Sequence, residues 1–385
     1  MIRLGLCCVF REEPIKFVTT TATAITRMPR PAALTKLSLL CRQNADALLA
    51  SLQYCAANGI GCFRINSQIL PVKTHAEGGY DIHDLPEASA IVNQFKACGE
   101  FARQHQLRTC FHPDQFVVLN SPRPDVVEKS ILELDYQAEV AEWVGADVLN
   151  IHGGGGYGDK PKALADFARC LDRLPDRVRS RLTVENDDKI FTPADLLPIC
   201  QATGLPLVYD VHHHRCHPDD LTIEEATEQA LATWNREPMF HLSSPLEGWA
   251  GPKPERHHDL IDVNDFPDCW LRHSITVEVE AKAKETAVLK LQQELQARES
   301  TSVWFVYILR CADGSLYTGI TNDLPRRLAE HNAGTASRYT RSRQPSAFVY
   351  QERVGSRSAA LKRELAIKAM TRTAKERLIT AAQSV

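Results

Sequence analysis

The alternation of short apolar runs with longer helical patterns constrains the fold of this chain more than any other feature. Eight runs suited to strands recur, at 2–9, 61–66, 108–113, 147–152, 181–186, 205–213, 238–244 and 275–281. Amphipathic stretches of helical period separate most of them, for example 32–57 and 126–144. Strand alternating with helix implies parallel β-structure with right-handed crossovers. Eight such units in about 280 residues predict an α/β fold of the TIM (β/α)8 barrel type.

A doubly wound open sheet is the alternative architecture for the same pattern. It normally needs a glycine-rich phosphate loop, and the run of four glycines after His152 lacks the G-x-G-x-x-G spacing. That run is typical instead of a flexible turn that lets a ligand or metal approach the backbone. We therefore predict the closed barrel.

Charge is divided unevenly along the 385 residues, whose net charge is −3. Residues 301–385 hold 14 Lys and Arg against 6 Asp and Glu, a net charge of +8, which leaves −11 for the remainder. A basic segment of this kind suggests a polyanionic partner, with a solvated basic face as the alternative. The 12 cysteines include no C-x-x-C pair, which indicates reduced thiols in a cytoplasmic protein. We see neither a signal peptide nor a run of the ~20 apolar residues that a membrane helix needs.

Metal-competent side chains stand at or near the carboxyl ends of the candidate strands. A lone histidine is more often a surface or core residue, but these strand ends meet at one face of a TIM barrel. Chance does not readily place a ligand-type residue at almost every one of them. The nine candidates are His75, His112, His152, Glu185, Asp210, His213, His241, His257 and Glu280.

Imidazole and carboxylate ligands together suit Mn²⁺, Zn²⁺ or Fe²⁺. Nine candidate ligands exceed what one ion takes, so the sequence predicts two or three ions. A multi-metal cluster fits phosphodiester cleavage, in which one ion activates water and another stabilises the leaving oxygen. It also fits isomerisation of a sugar, and ligand chemistry alone leaves both open.

The motifs around these residues resemble the UV damage endonuclease family, in order, over roughly residues 1–290. They are Phe63-Arg64-Ile65, Leu70-Pro71 with His75, His112-Pro113-Asp114-Gln115-Phe116, Ile151-His152-Gly153-Gly154, Val184-Glu185-Asn186-Asp187, Asp210-Val211-His212-His213, His241-Leu242-Ser243-Ser244 and Val279-Glu280-Ala281-Lys282. The resemblance implies a TIM barrel that nicks DNA on the 5′ side of UV photoproducts and related lesions. It also implies that the nine candidates are the metal ligands, with His257 preferred to His258, and that the metal is Mn²⁺.

Two positions bear on how the lesion and the metals would be held. Gln115 and Phe116 stand where the family pushes a glutamine and an aromatic residue into the duplex, although Phe116 could instead be a core residue. An aromatic ring can fill the gap left by an extruded dinucleotide, and weakly stacked lesions cost less to open. The family often has tyrosine at the second position, so a hydroxyl contact is lost here. It also has a lysine, described as a carboxylated metal bridge, where this chain has Met239, which cannot carry that group.

The remaining residues predict a second domain. We place a barrel domain at 1–298, a boundary at 300–302 and a small mixed α/β domain at 303–385, with the order strand, turn, strand, helix, strand, helix. Asp313-Gly314 is a strong hairpin signal between strands at 303–311 and 315–321. Asp323 is a suitable cap for the helix that follows.

This segment resembles the GIY-YIG nuclease domain. The motif reads Phe305-Val306-Tyr307 and Tyr317-Thr318-Gly319, with valine in place of a glycine. The resemblance implies catalytic roles for Tyr307, Tyr317, Arg327 and His331, and a metal-binding role for Glu364 with Mg²⁺ or Mn²⁺. Such a set can act together, because the carboxylate holds an ion, arginine neutralises charge and tyrosine orients water. A basic strand-flanking loop suited to phosphates is formed by Arg338, Arg341 and Arg343.

We therefore expect a metal-dependent endodeoxyribonuclease that repairs damaged double-stranded DNA, at the bacterial nucleoid when it acts, and that needs no organic cofactor and no membrane. Two nuclease-like constellations in one chain suggest that the GIY-YIG domain makes a second cut. Two alternatives stay open. In one the GIY-YIG domain only binds DNA. In the other the barrel is an abasic-site nuclease or a sugar isomerase, although Gln115, Phe116 and the basic segment argue against a sugar.

Overall fold

Eight parallel strands close into a barrel in the computed structural model, which describes residues 1–301 and 303–383. Each strand pairs with the next in sequence, and the eighth pairs with the first. The strands are Ile2–Cys7 (β1), Cys62–Ile65 (β2), Arg108–Phe111 (β3), Val148–His152 (β4), Leu182–Glu185 (β5), Leu207–Asp210 (β6), Met239–Leu242 (β7) and Ile275–Val279 (β8). The closed barrel is confirmed, and the open doubly wound sheet is wrong.

Helices connect these strands. They are Ala22–Thr26 (α1), Arg30–Ala57 (α2), Ala88–Gln104 (α3), Pro124–Val144 (α4), Lys160–Leu171 (α5), Asp176–Arg179 (α6), Pro193–Thr203 (α7), Val211–Cys216 (α8), Ile223–Ala232 (α9) and Glu285–Thr301 (α10). The run at 205–213 was expected to be a single strand, and this is wrong beyond Asp210. The Asp210 carboxylate accepts a hydrogen bond from the His213 backbone N–H, which caps α8 and turns the chain out of the sheet.

The barrel interior is a packed apolar layer beneath a polar one. Five buried residues from five strands form one cluster: Cys62, Cys110, Val148, Val208 and Met239. Because side chains of a strand alternate between its two faces, the residue two positions further on points to the same interior. These next residues are Arg64, His112, Asn150, Asp210 and His241. Strand periodicity thus delivers polar groups to one mouth of the barrel.

A second compact unit comprises Gln292–Val385. Its antiparallel sheet has the order β10-β9-β11 and consists of Trp304–Cys311 (β9), Leu316–Thr321 (β10) and Ser346–Val354 (β11). Its further helices are Leu324–Ala333 (α11), Arg338–Arg341 (α12), Arg357–Lys368 (α13) and Arg372–Gln383 (α14). A mixed α/β unit is therefore confirmed. The predicted limits 1–298 and 303–385 remain predictions, since α10 crosses the division between the compact units and Ser302 lies outside the described residues.

Local signals in this unit act as expected with one exception. Gly314 closes the β9–β10 hairpin at a φ of +74°, and the Asp323 carboxylate caps α11 by accepting from the Arg326 N–H. Val306, which replaces a family glycine, is fully buried in the core with Ile308. The exception is the basic loop, because its residues 338–341 form the short helix α12, which Ser337 caps.

Two features of the described residues concern the thiols and the length of the helices. All twelve thiols are free, and nine of them are buried. Within the described ranges, no helix has the length and apolar character needed to cross a bilayer.

Gly99 marks a close contact between α3 and α4 and provides a test of the packing. A Cβ at this position would lie 2.8 Å from backbone atoms of Val144, which cannot move aside without separating the helices. We expect Gly99→Ala to lower the free energy of unfolding by about 1–3 kcal/mol, as overpacked sites do, although alanine normally favours a helix interior. Denaturant unfolding measures the change.

The control is Gly78→Ala, where the added Cβ would make ordinary contacts with side chains at 3.5 Å. Its effect should stay within about 0.5 kcal/mol. Equal stability of Gly99→Ala and the parent chain would show that the two helices are not in close contact.

Candidate functional sites

Glu185 is the centre of a cluster at the carboxyl end of the barrel. Its Oε2 lies 2.9 Å from Nε2 of His112, and its Oε1 lies 3.1 Å from Nδ1 of His241 and 3.3 Å from Nδ1 of His213. The residue is fully buried because it ends β5 with its side chain inside the barrel. One carboxylate therefore joins groups from four different βα units.

Other predicted ligands surround this carboxylate. Asp210 Oδ2 lies 3.3 Å from His213 Nδ1, and Glu280 Oε1 lies 3.5 Å from His241 Nδ1. The rings of His112 and His152 have centroids 5.1 Å apart. Seven of the nine predicted residues thus lie together: His112, His152, Glu185, Asp210, His213, His241 and Glu280.

His257 lies at the edge of this cluster. Its Nδ1 is 3.9 Å from Oε2 of Glu280, and its ring is within 3.4 Å of the Ser243 hydroxyl. The neighbouring His258 turns to its own loop, where its Nδ1 contacts the backbone of Leu260. The geometry therefore favours His257 over His258 as the residue that faces the cluster.

His75 is placed differently. It is exposed, and its Nδ1 accepts hydrogen bonds from the backbone N–H groups of Glu77 and Gly78. It belongs to none of the ligand groups found among the described residues. The structure thus does not bring His75 to the cluster, and its role as a ligand stays a prediction.

Sequence reasoning missed two charged residues of this site. Arg64, nearly buried, has one guanidinium nitrogen 2.6 Å from both Glu278 Oε2 and Glu280 Oε1. Glu278 Oε2 also lies 2.9 Å from His241 Nε2. Period-two alternation could have found Glu278, since it precedes Glu280 by two residues and shares its face.

The pKa values of three residues in the cluster are shifted by their charged neighbours. Burial would raise the pKa of Glu185, but His241 and His152 outweigh it and hold that pKa well below its usual range. Burial would lower the pKa of His213, but Asp210 and Glu185 raise it to about 10. The pKa of His241 is likewise raised well above its ordinary value against the effect of burial, chiefly by Glu185. The carboxylates therefore favour the protonated form of both imidazoles.

Unsatisfied buried atoms test whether metal ions fit. Among the described residues, His152 Nδ1 has no hydrogen-bond partner, and Glu185 Oε1, Asp210 Oδ2 and His241 Nδ1 have only ion-pair contacts of 3.1–3.3 Å without hydrogen-bond geometry. Leaving such atoms unpaired is costly, and coordination would satisfy them. Three overlapping groups each offer ligand atoms within 4.8 Å of one another: His112 with His152 and Glu185, His112 with His241 and Glu280, and Glu185 with Asp210 and His213. The residues fit divalent cations.

Met239 does not take part in this polar layer. Its side chain is fully buried in the apolar layer below and packs with Cys62 and Cys110. A thioether in an apolar setting supplies no bridging carboxylate. Met239 therefore does not replace the bridging lysine that the resemblance implies at this position.

The loop after β3 presents the other predicted DNA contact. Phe116 is 76% exposed, which rules out a core position. Gln115 beside it is also exposed, and the Asp114 carboxylate accepts from the Phe116 backbone N–H at 3.1 Å. This local turn holds an apolar ring in solvent near the metal-competent face.

The four predicted catalytic residues of the C-terminal unit also lie together. Arg327 Nε donates to the Tyr307 hydroxyl at 3.1 Å, so that hydroxyl donates to Nε2 of His331 at 2.9 Å. His331 Nδ1 in turn contacts the Thr340 hydroxyl at 2.8 Å. The Tyr317 ring lies with its centroid 5.0 Å from that of His331. The chain thus builds a hydrogen-bonded relay around one tyrosine.

Gly319 allows this arrangement. A Cβ at Gly319 would come within 2.5 Å of the Tyr307 hydroxyl oxygen. Burial raises the pKa of Tyr307 to about 12, with Arg327 opposing and Glu364 adding to the rise. Glu364 itself is largely buried and pairs with Lys368 at 2.8 Å. One carboxylate can hold an ion only together with substrate phosphate and water oxygens.

The three predicted phosphate-binding arginines differ in their surroundings. Arg338 and Arg341 are exposed on α12. Arg343 pairs with Asp313 at 2.9 Å and lies over the Tyr339 ring, 4.4 Å from its centroid. The first two are therefore the more available cations.

Comparison with known proteins bears on both units. Residues 2–306 match the family model described as UV-endonuclease UvdE, and residues 303–377 match that of the GIY-YIG catalytic domain. The UV DNA damage endonuclease of Deinococcus radiodurans is 36% identical over 303 residues, which cover 75% of this chain and 94% of the relative. The protein of that name in Bacillus velezensis is 32% identical over 302 residues, 75% of this chain and 91% of the relative.

Solved structures add the fold. The crystal structure of SacUVDE is 28% identical with a TM-score of 0.69, over 77% of this chain and 99% of that chain. Endonuclease IV from Thermus thermophilus is 16% identical with a TM-score of 0.51, over 77% of this chain and 98% of that chain, and shows a likeness of fold alone.

The protonation of His331 can be measured directly. Burial, with the charge of Arg327, lowers its pKa to about 4. Because an unfolded histidine titrates near about 6.5, the unfolded chain takes up a proton first, and this site should cost stability as pH falls from about 6.5 towards 4. We expect the imidazole NMR signals that disappear in His331→Gln to titrate near pH 4. Titration between about pH 6 and 7 would contradict the neutral relay.

Proposed function

The chain belongs to the UV-endonuclease UvdE family and carries a GIY-YIG catalytic domain, and on this premise we propose that its barrel nicks double-stranded DNA 5′ of UV photoproducts, and of related lesions such as abasic sites. Membership makes the chain a DNA repair endonuclease. The lesion and the position of the nick are the proposal. Its main support is the carboxylate and imidazole cluster, several of whose buried ligand atoms lack a hydrogen bond, at the end of a barrel that also exposes Phe116.

We assign the residues that would hold the ions from their mutual distances. One ion would bind at His112, His152 and Glu185, a second at Glu185, Asp210 and His213, and a third near His241 and Glu280. We propose Mn²⁺ for these positions, because mixed nitrogen and oxygen ligands suit it. Bound there, such ions supply an activated water and neutralise the charge that develops on the leaving oxygen.

The chain's own residues keep this site in place. Asn150 Nδ2 donates to Glu185 Oε2 at 2.5 Å, while the Thr183 hydroxyl donates to the Asn150 oxygen at 2.9 Å. Asn186 exchanges two hydrogen bonds of 2.9 Å with the Asp210 backbone. Such fixed partners hold ligands at their working geometry before metal or DNA arrives.

Lesion selection fits the exposed loop after β3. The ring of Phe116 can stack in the gap that an extruded dinucleotide leaves, at about 1–3 kcal/mol per base. Gln115 beside it offers amide donors and acceptors to bases that have lost their partners. Because damaged steps cost less to open, this mode selects lesions without reading sequence.

Glu185→Gln tests the barrel reaction. The substrate is a duplex with a single photoproduct, end-labelled on both strands and incubated with Mn²⁺. Glutamine keeps the shape but removes the charge at the centre of the cluster, so we expect the nick 5′ of the lesion to slow at least about 100-fold, beyond the roughly 10–100-fold cost of losing an outer partner. Glu100→Gln, at an exposed helix position, is the control and should incise like the parent chain.

An undiminished nick in Glu185→Gln would remove Glu185 from the reaction. If the parent chain left damaged duplex intact but isomerised a xylose-type sugar, the barrel would be a sugar isomerase instead.

We further propose that the GIY-YIG domain makes a second cut in the same DNA. The Tyr307 hydroxyl, held between Arg327 and His331, is placed to orient a water, and it could take a proton from that water only while passing its own proton to Nε2 of His331. Arg327 can neutralise charge on the phosphate. Glu364 would hold one Mg²⁺ or Mn²⁺ ion. The two exposed arginines of α12 add phosphate contacts.

Glu364→Gln separates this proposal from its alternative. We expect the 5′ nick to remain and a second labelled product, formed by the parent chain, to disappear in this variant. Glu376→Gln, on the surface of the same unit, should leave both products unchanged.

If Glu364→Gln leaves every product unchanged, the domain only binds DNA. In that case Arg338→Ala and Arg341→Ala should each weaken binding and lower the salt slope by about 1.

A further inference from the structure

The loop that follows β4 carries an exposed aromatic residue in a backbone conformation that disfavours it. Tyr157 is 51% exposed and has a φ of +45°, in the left-handed region that side chains rarely adopt. Gly154 and Gly158 nearby have φ values of +83° and +81°. Glycine or asparagine would accept this conformation at position 157 with less strain. An outlier of this kind supports the hypothesis that the residue has a function besides folding.

The glycines of this loop form a seat for the ring. A Cβ on Gly155 would lie 2.6–3.0 Å from three ring atoms of Tyr157, so only glycine fits beneath it. The ring is therefore held on one side by backbone while half of the residue is open to solvent. The four-glycine run, which was expected to be a flexible turn, has a defined shape that supports this ring.

Asn120 ties this loop to the loop that bears Phe116. It is 2% exposed, and its side-chain amide donates to the carbonyls of Gly153 and Gly155 at 2.9 and 3.0 Å. Its oxygen accepts from the Gly155 N–H at 3.3 Å. A Cβ on Gly154 would lie 2.1 Å from that oxygen, so the contact needs glycine there as well. Two exposed aromatic residues thus stand on adjacent loops that are locked together.

These loops leave the barrel directly after two metal-competent residues. His112 follows β3, and His152 ends β4. The aromatic rings on these two loops are consequently positioned by β3 and β4, the strands that also position His112 and His152. DNA whose phosphate lies at the cluster would bring its neighbouring bases past both loops.

We propose that Tyr157 is a second stacking contact for damaged DNA, where its ring packs against a nucleobase that the lesion leaves unpaired or weakly stacked. The inference rests on the proposed action of the barrel on lesions. An extruded dinucleotide exposes two neighbouring bases or their partners, and one ring, that of Phe116, covers only one of them. Stacking tolerates any base, because every base has a π-face. A second ring therefore adds binding affinity without adding sequence preference.

Binding of the full chain, with its metal ions present, to fluorescent duplexes whose backbone linkages around the lesion are uncleavable tests this role. One duplex carries a single photoproduct and the other is undamaged. We expect Tyr157→Asn to weaken binding to the damaged duplex by roughly 5- to 150-fold, equivalent to one stacked base, and binding to the undamaged duplex by less than about twofold. Tyr157→Phe keeps the ring and should stay within about threefold of the parent chain on both.

A second readout separates function from local structure. Because asparagine tolerates the left-handed conformation, Tyr157→Asn should melt at the same temperature as the parent chain or higher. Leu132→Asn, which also replaces an exposed apolar residue but on α4, should leave both affinities unchanged.

Three results would overturn the role of Tyr157. They are unchanged binding of Tyr157→Asn to damaged duplex, an equal loss on both duplexes, and a loss in Tyr157→Phe as large as that in Tyr157→Asn. If the parent chain neither prefers nor incises the damaged duplex, both the proposed function and this inference fail. If the parent chain incises damaged DNA and Tyr157→Asn binds that DNA equally well, only the inference fails.

Discussion

The buried charge of Glu185 is the constraint on which the barrel site depends. A carboxylate with no exposed surface is unstable unless hydrogen bonds and opposite charges surround it. Here Asn150 and three imidazoles supply them, and each imidazole comes from a different βα unit. Only a closed barrel lets that many strand ends converge on one group. The fold is thus a condition for the buried charge, and that charge makes the mouth of the barrel suited to cations, whether protons or metal ions.

Strand periodicity explains what the sequence could and could not predict. Residues at strand ends, such as His152 and Glu185, were placed correctly relative to one another because alternation and closure leave them no other position. Glu278 obeys the same rule and could have been found. His75 could not, since it follows a strand by ten residues, and loop backbone, rather than strand register, decides where it lies. Arg64 was visible in the sequence, but its pairing with two glutamates depends on contacts between strands that are far apart in the chain.

Smaller local errors have equally specific causes. The strand expected at 205–213 ends at Asp210, where a carboxylate captures a backbone N–H of the next turn. The same capture puts His213 on a helix and directs its ring back towards Asp210, so the error in secondary structure did not move His213 out of the cluster. In the C-terminal unit, Val306 departs from the family motif yet lies in the core, on the opposite face of β9 from Tyr307. Alternation therefore shields the relay from that substitution.

The two sites differ in how they could accept the negative charge of a DNA phosphate. The barrel cluster has more carboxylates than fixed cations, so a phosphate can approach only after metal ions have reversed the local charge. The C-terminal site has Glu364 near Tyr307 and pairs Arg327 with Glu330 at 2.7 Å, but the unit is basic as a whole, so attraction of the DNA backbone does not wait for a metal. Under the proposed function, a chain that joins them would hold DNA by its basic unit, while its barrel would need metal ions. Under the proposed function, discrimination falls to uncharged contacts, and the exposed rings of Phe116 and Tyr157, on the locked loops after β3 and β4, are candidates to provide it without reading sequence.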